Sequence, residues 1–339
     1  MAGIGSTYFD LIDLYKSQNP NGTIADVIEM LTEMNPILDD ALAIECNNGT
    51  KHLTTVRTGL PSVTWGRLYE GIAQSKSTKA QVEDTTGFVE ALSTIDKRLL
   101  ELSNNEGAIR MSEAEAFIEA MNQEVASKIF YGSSASDPEQ FMGLSPRYNS
   151  LSATNGNNII DGGGAGADNT SVWFVTWGDN QTHLLYPKGT QGGVTREDKG
   201  EQRVLDGSSN AYYVMEELFR WHVGLSVRDW RYNVRIANID VSLMQADPSN
   251  IDGSNTNIYD VMRKAYWKMQ SRRVPGGRQA IYCNRDVMEA LDAASVNSGA
   301  NDSFVRLRPM EIQGKEVLTY RGIPIRETDA ILNTESLVA

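Results

Sequence analysis

Between Phe219 and Ile236 the chain alternates apolar and polar residues and changes phase once. Phe219, Trp221, Val223, Leu225 and Val227 share one face, with Arg220, His222, Gly224, Ser226 and Arg228 on the other. Trp230, Tyr232, Val234 and Ile236 then take over as the apolar set, and Asp229, Arg231, Asn233 and Arg235 become polar. Period-two alternation means a half-buried strand, and a one-residue phase slip marks a β-bulge or a sharp bend. A strand over 219–236 is several-fold longer than usual and suits an elongated platform better than a compact enzyme core.

Residues 63–92 make the same demand. Two extended stretches, Val63–Ile72 and Gln81–Leu92, flank a polar tip at residues 73–80 that includes Lys76 and Lys79. Each stretch spans roughly 33 Å at the rise of a strand. An isolated two-stranded hairpin is marginal in water. One this long, bearing Trp65, Tyr69 and Phe88, needs a surface to lie on. That surface belongs either to its own domain or to another subunit.

The remaining pattern is mixed. Ser112-Glu113-Ala114-Glu115 resembles a capping box, and Ala114, Phe117, Ile118, Met121, Val125 and Ile129 follow as a stripe, predicting a core-facing helix over 112–131. Shorter amphipathic helices are expected at 6–17 and from Thr23 to about Leu31, each needing a larger body to pack against. Residues 149–171, rich in Asn, Gly and Ser, predict a loop. Strands are expected at Val172–Trp177, Thr182–Tyr186, Gln279–Cys283, Val317–Tyr320 and Ile323–Ile325, with helices at 257–271 and 285–295. The class is α+β, without a regular βαβ repeat and without a linker that clearly separates two domains.

The search for chemistry is mostly negative. His52, His183 and His222 lack ligand spacing and are expected to be surface or strand residues. Cys46 and Cys283 stand far apart with no metal-like spacing and read as buried thiols. No GxSxG elbow occurs, and the glycine run at 162–166 lacks the Lys-Ser/Thr of a phosphate loop. Residues 247–254 resemble a calcium loop but lack its register and closing glutamate, so a turn is expected. No catalytic residue, cofactor or metal is therefore expected. The formal net charge of −13 argues against a dedicated nucleic-acid surface. Residues 1–50 hold eight carboxylates against one lysine, so about −7 of that charge sits there. No apolar run approaches the roughly 18 residues that cross a bilayer, and no secretory signal is visible at the start.

Several segments, taken in order, resemble the major capsid proteins of short-tailed, epsilon-15-like bacteriophages, within the Hong Kong 97-type shell fold. They are Asn35-Pro36-Ile37-Leu38-Asp39-Asp40 with Glu45-Cys46-Asn47, and Thr54 through Trp65. Asp229-Trp230-Arg231-Tyr232 follows, running into Arg235-Ile236-Ala237-Asn238-Ile239, and then Tyr282-Cys283-Asn284-Arg285. Gly322-Ile323-Pro324-Ile325-Arg326 and Asp329-Ala330-Ile331-Leu332 close the set. None is a catalytic signature; their joint order carries the likeness.

The resemblance implies an N-terminal arm over 1–62 and an extended loop over 63–100 that reaches across a neighbouring subunit. It implies a spine helix opening a peripheral domain over 101–150. Axial and peripheral segments would interleave over 151–339, with 219–236 as a peripheral strand and 257–296 as the axial helices. Function would lie in self-assembly into pentamers and hexamers of an icosahedral shell enclosing double-stranded DNA. Scaffold, portal and decoration proteins would be partners, no membrane would be, and assembly in the bacterial cytoplasm would end in the virion capsid. The expected inter-subunit contacts are Trp65, Arg67, Tyr69, Lys76, Lys79 and Phe88. Lys76 and Lys79 invite comparison with fold members that crosslink, but no partner asparagine or catalytic carboxylate is identified, so ordinary exposed lysines are expected. An encapsulin-type compartment is the alternative of the same fold, and a soluble hydrolase the alternative of another class.

Overall fold

The phase change inside 219–236 is a bend that splits the stretch in two. In the computed structural model one strand runs Ala211–Val227, a 3-10 turn covers Trp230–Tyr232, and a second strand takes Val234–Asp240. Asp229 organises the break: its carboxylate accepts the backbone N–H of Arg231 at 3.1 Å and the Arg231 guanidinium at 2.7 Å. The single strand expected over 219–236 is thus corrected to two, the first beginning upstream at Ala211.

The structure describes residues 33–102, 105–247, 250–272, 274, 276–296, 307–312 and 315–339. The helices expected at 6–17 and after Thr23 lie outside them. In chain order the strands are β1 (Ala43–Glu45), β2 (Lys51–Gly59), β3 (Thr78–Asp96), β4 (Ile159–Asp161), β5 (Asn169–Trp177), β6 (Thr182–Tyr186), β7 (Val194–Leu205), β8 (Ala211–Val227), β9 (Val234–Asp240), β10 (Arg278–Cys283), β11 (Arg308–Ile312), β12 (Lys315–Tyr320) and β13 (Ile323–Glu327). The helices are α1 (Ile37–Asp40), α2 (Lys97–Leu102), α3 (Glu106–Tyr131), α4 (Leu144–Arg147), α5 (Val241–Ala246), α6 (Ile258–Lys268) and α7 (Arg285–Val296).

β8 belongs to two structures at once. Its first part is the middle strand of an antiparallel ribbon, with β3 along one edge and β7 along the other. Its last residues, Gly224 to Val227, pair with β6 and so enter the central sheet. That sheet continues through β5, which pairs antiparallel with both β9 and β10, and β10 lies parallel to β13.

Alternation along β5 divides the core. Val172 and Phe174 point into a cluster with Val261, Met262 and Ala265 of α6 and Val287 and Leu291 of α7. Trp173, Val175 and Trp177 point the other way, against Val125, Ile129 and Phe130 of α3. A strand buried on both faces reads as a near-continuous apolar run, here broken only by Thr176 within 172–177.

Two further expectations change. α3 begins at Glu106, where the Asn105 side chain accepts from Ala108 N, so Ser112 lies inside the helix and caps nothing. The added turn is secured by Ile109, buried with Ile95, Leu99 and Leu100. At 1.5 Å per residue α3 is about 39 Å long. Its first half packs Ala114, Phe117, Ile118 and Met121 onto the ribbon residues Val89, Ala91, Phe219 and Trp221. Phe117 and Phe219 stack at 5.8 Å.

The first arm of the hairpin is Lys51–Gly59, paired with Thr78–Thr85, and not Val63–Ile72. Thr54, Thr55, Val56 and Thr58 suit a pleated strand. Pro61, Gly66 and Gly71 punctuate the stretch that follows. The second arm, expected at 81–92, lies within β3. β7 was unexpected, because Val194–Leu205 is polar along almost its whole length.

The C-terminal tail is fastened by a buried ion pair. Arg235, 2% exposed, donates to Glu335 at 2.8 Å and lies 5.0 Å over the Trp173 ring. Glu335 also accepts from the hydroxyls of Ser171 and Tyr131.

Candidate inter-subunit surface

Residues 60–77 join β2 to β3 as an exposed loop with no regular structure. Leu60, Val63, Trp65, Leu68, Tyr69 and Ile72 are each at least 80% exposed, with Trp65 at 99%. The loop is held only locally: Ser75 Oγ donates to the Ser62 carbonyl at 2.7 Å, and Glu70 N to the Arg67 carbonyl at 3.3 Å. Tyr69 sits at φ 66°, a left-handed conformation uncommon for a bulky residue. A large apolar patch open to water is a signature of an interaction surface.

Of the six expected contact residues, Trp65, Arg67, Tyr69 and Lys76 lie on this loop, and all are exposed. Lys79 sits at the start of β3, opposite Arg57 of β2, so two cations face each other at the loop's base. Phe88 is not brought to the loop. It lies nine residues further along β3, about 30 Å at strand rise. There it pairs with His222 of β8, the rings 5.6 Å apart, and is 59% exposed.

The ribbon beneath is stiffened by charge. Glu217, 3% exposed, forms ion pairs with Arg110 of α3 and, at 2.7 Å, with Arg196 of β7. Arg110 also reaches Asp198 at 2.8 Å. A buried carboxylate is tolerated only when paired in this way.

A second polar cluster lies at the root of the hairpin, and sequence reasoning missed it. His52 of β2 and His183 of β6 are both buried, their rings edge-to-face at 5.7 Å. The Arg228 guanidinium lies 2.7 Å from His52 Nε2. Asp84 of β3 accepts from Ser226 Oγ at 2.7 Å and from Arg147 of α4 at 2.8 Å. Burial, with Arg228 and His52 beside it, lowers His183 to about 4. His52 is lowered by burial and by Arg228. The participants come from five segments of chain, so no local motif signals them. The third histidine, His222, is half-buried on β8.

This cluster is a neutral imidazole pair in an electrostatic setting, and the Ser226 hydroxyl within it donates to Asp84 rather than to either imidazole. Both cysteines are buried and unbridged, and burial pushes Cys46 to about 11 and Cys283 to about 12, so neither is a thiolate near neutrality. Among the described residues no group of three or more His, Cys, Asp or Glu side chains is placed to hold a metal ion. Among them, too, no helix is long and apolar enough to cross a membrane. Residues 250–256 form a turn in which Asp252 accepts from Ser254 N and Thr256 N.

The profile of the family described as Major capsid protein GP7 matches residues 19–339. Among solved structures, that of bacteriophage Epsilon15 derived from cryo-EM is 36% identical, covers 100% of this chain and 99% of that chain, and has a TM-score of 0.78. The holo-SrpI encapsulin complex from Synechococcus elongatus PCC 7942 is 10% identical over 68% of this chain and 95% of that one, with a TM-score of 0.46. The capsid of a native GTA particle is 11% identical over 63% and 92%, at 0.42. These last two likenesses bear no weight. No curated protein matches the chain.

Proposed function

Because the chain belongs to the major capsid protein GP7 family and forms a phage capsid shell with the Hong Kong 97-type fold, we propose that it assembles by seating its 60–77 loop on a neighbouring copy. The observation that carries this reading is the exposure of Trp65, Tyr69 and Ile72, at 99%, 107% and 83%, on a loop with no apolar contact of its own. Such anchors contribute most when buried at the centre of an interface. Arg67 and Lys76 would form the polar rim, with Lys79 at the base; Phe88 would contribute from the ribbon face.

The copies would gather as pentamers and hexamers around a double-stranded DNA genome. In that assembly α3 serves as the spine of the peripheral domain and α6 and α7 belong to the axial domain. Scaffold, portal and decoration proteins are the further partners, with assembly in the host cytoplasm. The role is structural: shell-building uses no chemical step, and the buried thiols and imidazoles have packing roles. Neither an encapsulin-type compartment nor a soluble hydrolase is favoured.

Replacing Trp65 with Ala tests the reading. Electron microscopy should show closed particles reduced by about an order of magnitude, consistent with loss of a hot-spot residue. The thermal midpoint of the subunit should stay unchanged, because the side chain is 99% exposed in its own subunit. Normal particle yield from this variant would refute the seated loop.

A further inference from the structure

From Val261 to Arg285 the sequence carries seven cations and no carboxylate, in a chain of net charge −13. The fold gathers part of this run onto a platform of aromatic rings. Arg272 lies 4.5 Å over the Trp267 ring and 5.8 Å over Tyr266. Arg321, from the turn between β12 and β13, lies 5.2 Å over Tyr266 and 5.6 Å over Tyr320. Tyr266 and Tyr320 meet edge to face at 6.5 Å. Trp267 remains 60% exposed, and Lys264 and Lys268 are exposed on the same helix.

A guanidinium stacked on a ring keeps its N–H edge turned outward, the geometry that binds a carboxylate through two parallel hydrogen bonds. Among the described residues no carboxylate is paired with Lys264, Lys268, Arg272 or Arg321. The platform is built as an acceptor of carboxylates and finds none among the described residues.

The complementary surface lies on the same module. β10 and β13 are parallel. Arg278 and Arg321 stand at their N-terminal ends, and Gln279 Nε2 donates to the Ser271 carbonyl at 3.0 Å, which holds the end of the α6 segment there. α7 starts at the opposite end of those strands, directly after β10. Asp286, Glu289 and Asp292 recur along it at three-residue spacing, Glu289 and Asp292 exposed, with no cation between Arg285 and Val296. One end of the module is basic and aromatic, and the helix that starts at the other end is acidic.

A closed ring of identical copies is joined by heterologous contacts, in which two different faces of the subunit must complement each other. We infer that the Trp267–Arg272–Arg321 platform of one copy receives the α7 carboxylates of the next copy around the ring. The inference rests on the proposed ring assembly and names the contact that closes it. Opposite potentials on the two faces set the orientation and register of the contact.

Charge reversal tests the contact in the full chain. Two variants attack the platform: R272E/R321E, which also disturbs ring stacking, and K264E/K268E, whose side chains stack on nothing. E289K/D292K attacks the other face. Each should lower the yield of closed particles by about tenfold, the scale of an interfacial like-charge clash, while the thermal midpoint of the K264E/K268E subunit barely moves. Combining K264E/K268E with E289K/D292K should recover most of the yield. Wild-type yield from the separate variants would overturn the contact, as would failure of the combination to recover. Normal particles with reduced nucleic-acid content would also overturn it, in favour of a polyanion as the occupant. If the unaltered protein forms no closed particles, the ring reading itself falls, and that result is seen before any variant is made.

Discussion

Acidification should weaken this subunit through His183 before its carboxylates begin to titrate. His183 is fully buried between β5, β6 and β8 and is lowered from 6.5 to about 4 by burial, Arg228 and His52. Arg228 and His52 oppose its protonation, Asp179 favours it, and Asp84 favours that of His52. The sign follows from proton uptake. Below 6.5 the unfolded chain gains a proton that the folded chain refuses, so stability is full above that pH and declines as pH falls toward 4. At about 1.36 kcal/mol per pKa unit the complete loss is roughly 3.4 kcal/mol, of which about 1.8 falls between pH 7 and pH 5. For a chain of this size that corresponds to a drop of about 2.5 °C in thermal midpoint. The assay compares thermal midpoints of wild type and His183→Leu, both in the same assembly state, across this range. The difference between the two curves reports His183 together with its coupling to His52, apart from the other groups that titrate. The variant should be no less stable at pH 7, because neither ring nitrogen of His183 has a partner at normal hydrogen-bond geometry among the described residues, and its acid limb should be flatter. Parallel curves would refute the reasoning.

Three further outcomes are expected. Arg235→Met strands Glu335 as a buried charge and should cost about 3–5 kcal/mol in a denaturant titration. Phe219→Ala, at a fully buried position stacked on Phe117, should cost about 3–5 kcal/mol and loosen α3 from the ribbon, read as faster amide exchange along β8. Gly87→Ala places a Cβ 2.7 Å from the Glu139 carbonyl oxygen and should cost about 1–3 kcal/mol in the same titration.

Legibility in the sequence followed the strength of the local signal. The apolar run at 172–175, followed by Trp177, located β5, because a strand buried on both faces carries apolar residues on each of them. The stripe from Ala114 to Ile129 located α3, but its start was decided by Ile109 packing on Ile95 and Leu99, contacts distant in sequence or split between elements. β7 was illegible because it is an edge strand held by backbone pairing and by ion pairs to distant partners, with side chains that otherwise suit water. The exposed aromatic residues of the loop were found, although the strand that carries them into the body was assigned twelve residues too late, at Val63 instead of Lys51. The His52–His183 pair could not be found at all, since spacing in sequence says nothing about five segments meeting in space.

At Gly224 the two edges of β8 change hands: Thr86 of β3 makes its last pairing there, and Leu185 of β6 is paired on the other side. A Cβ at this position would stand 2.8 Å from the Thr85 carbonyl oxygen, so the junction admits no side chain. Mechanically, this makes one strand a lever and one glycine its fulcrum. A tilt imposed on the ribbon by a neighbour is carried along a single unbroken backbone into the central sheet. A shell whose copies occupy non-identical positions can therefore take up curvature here without unfolding either body.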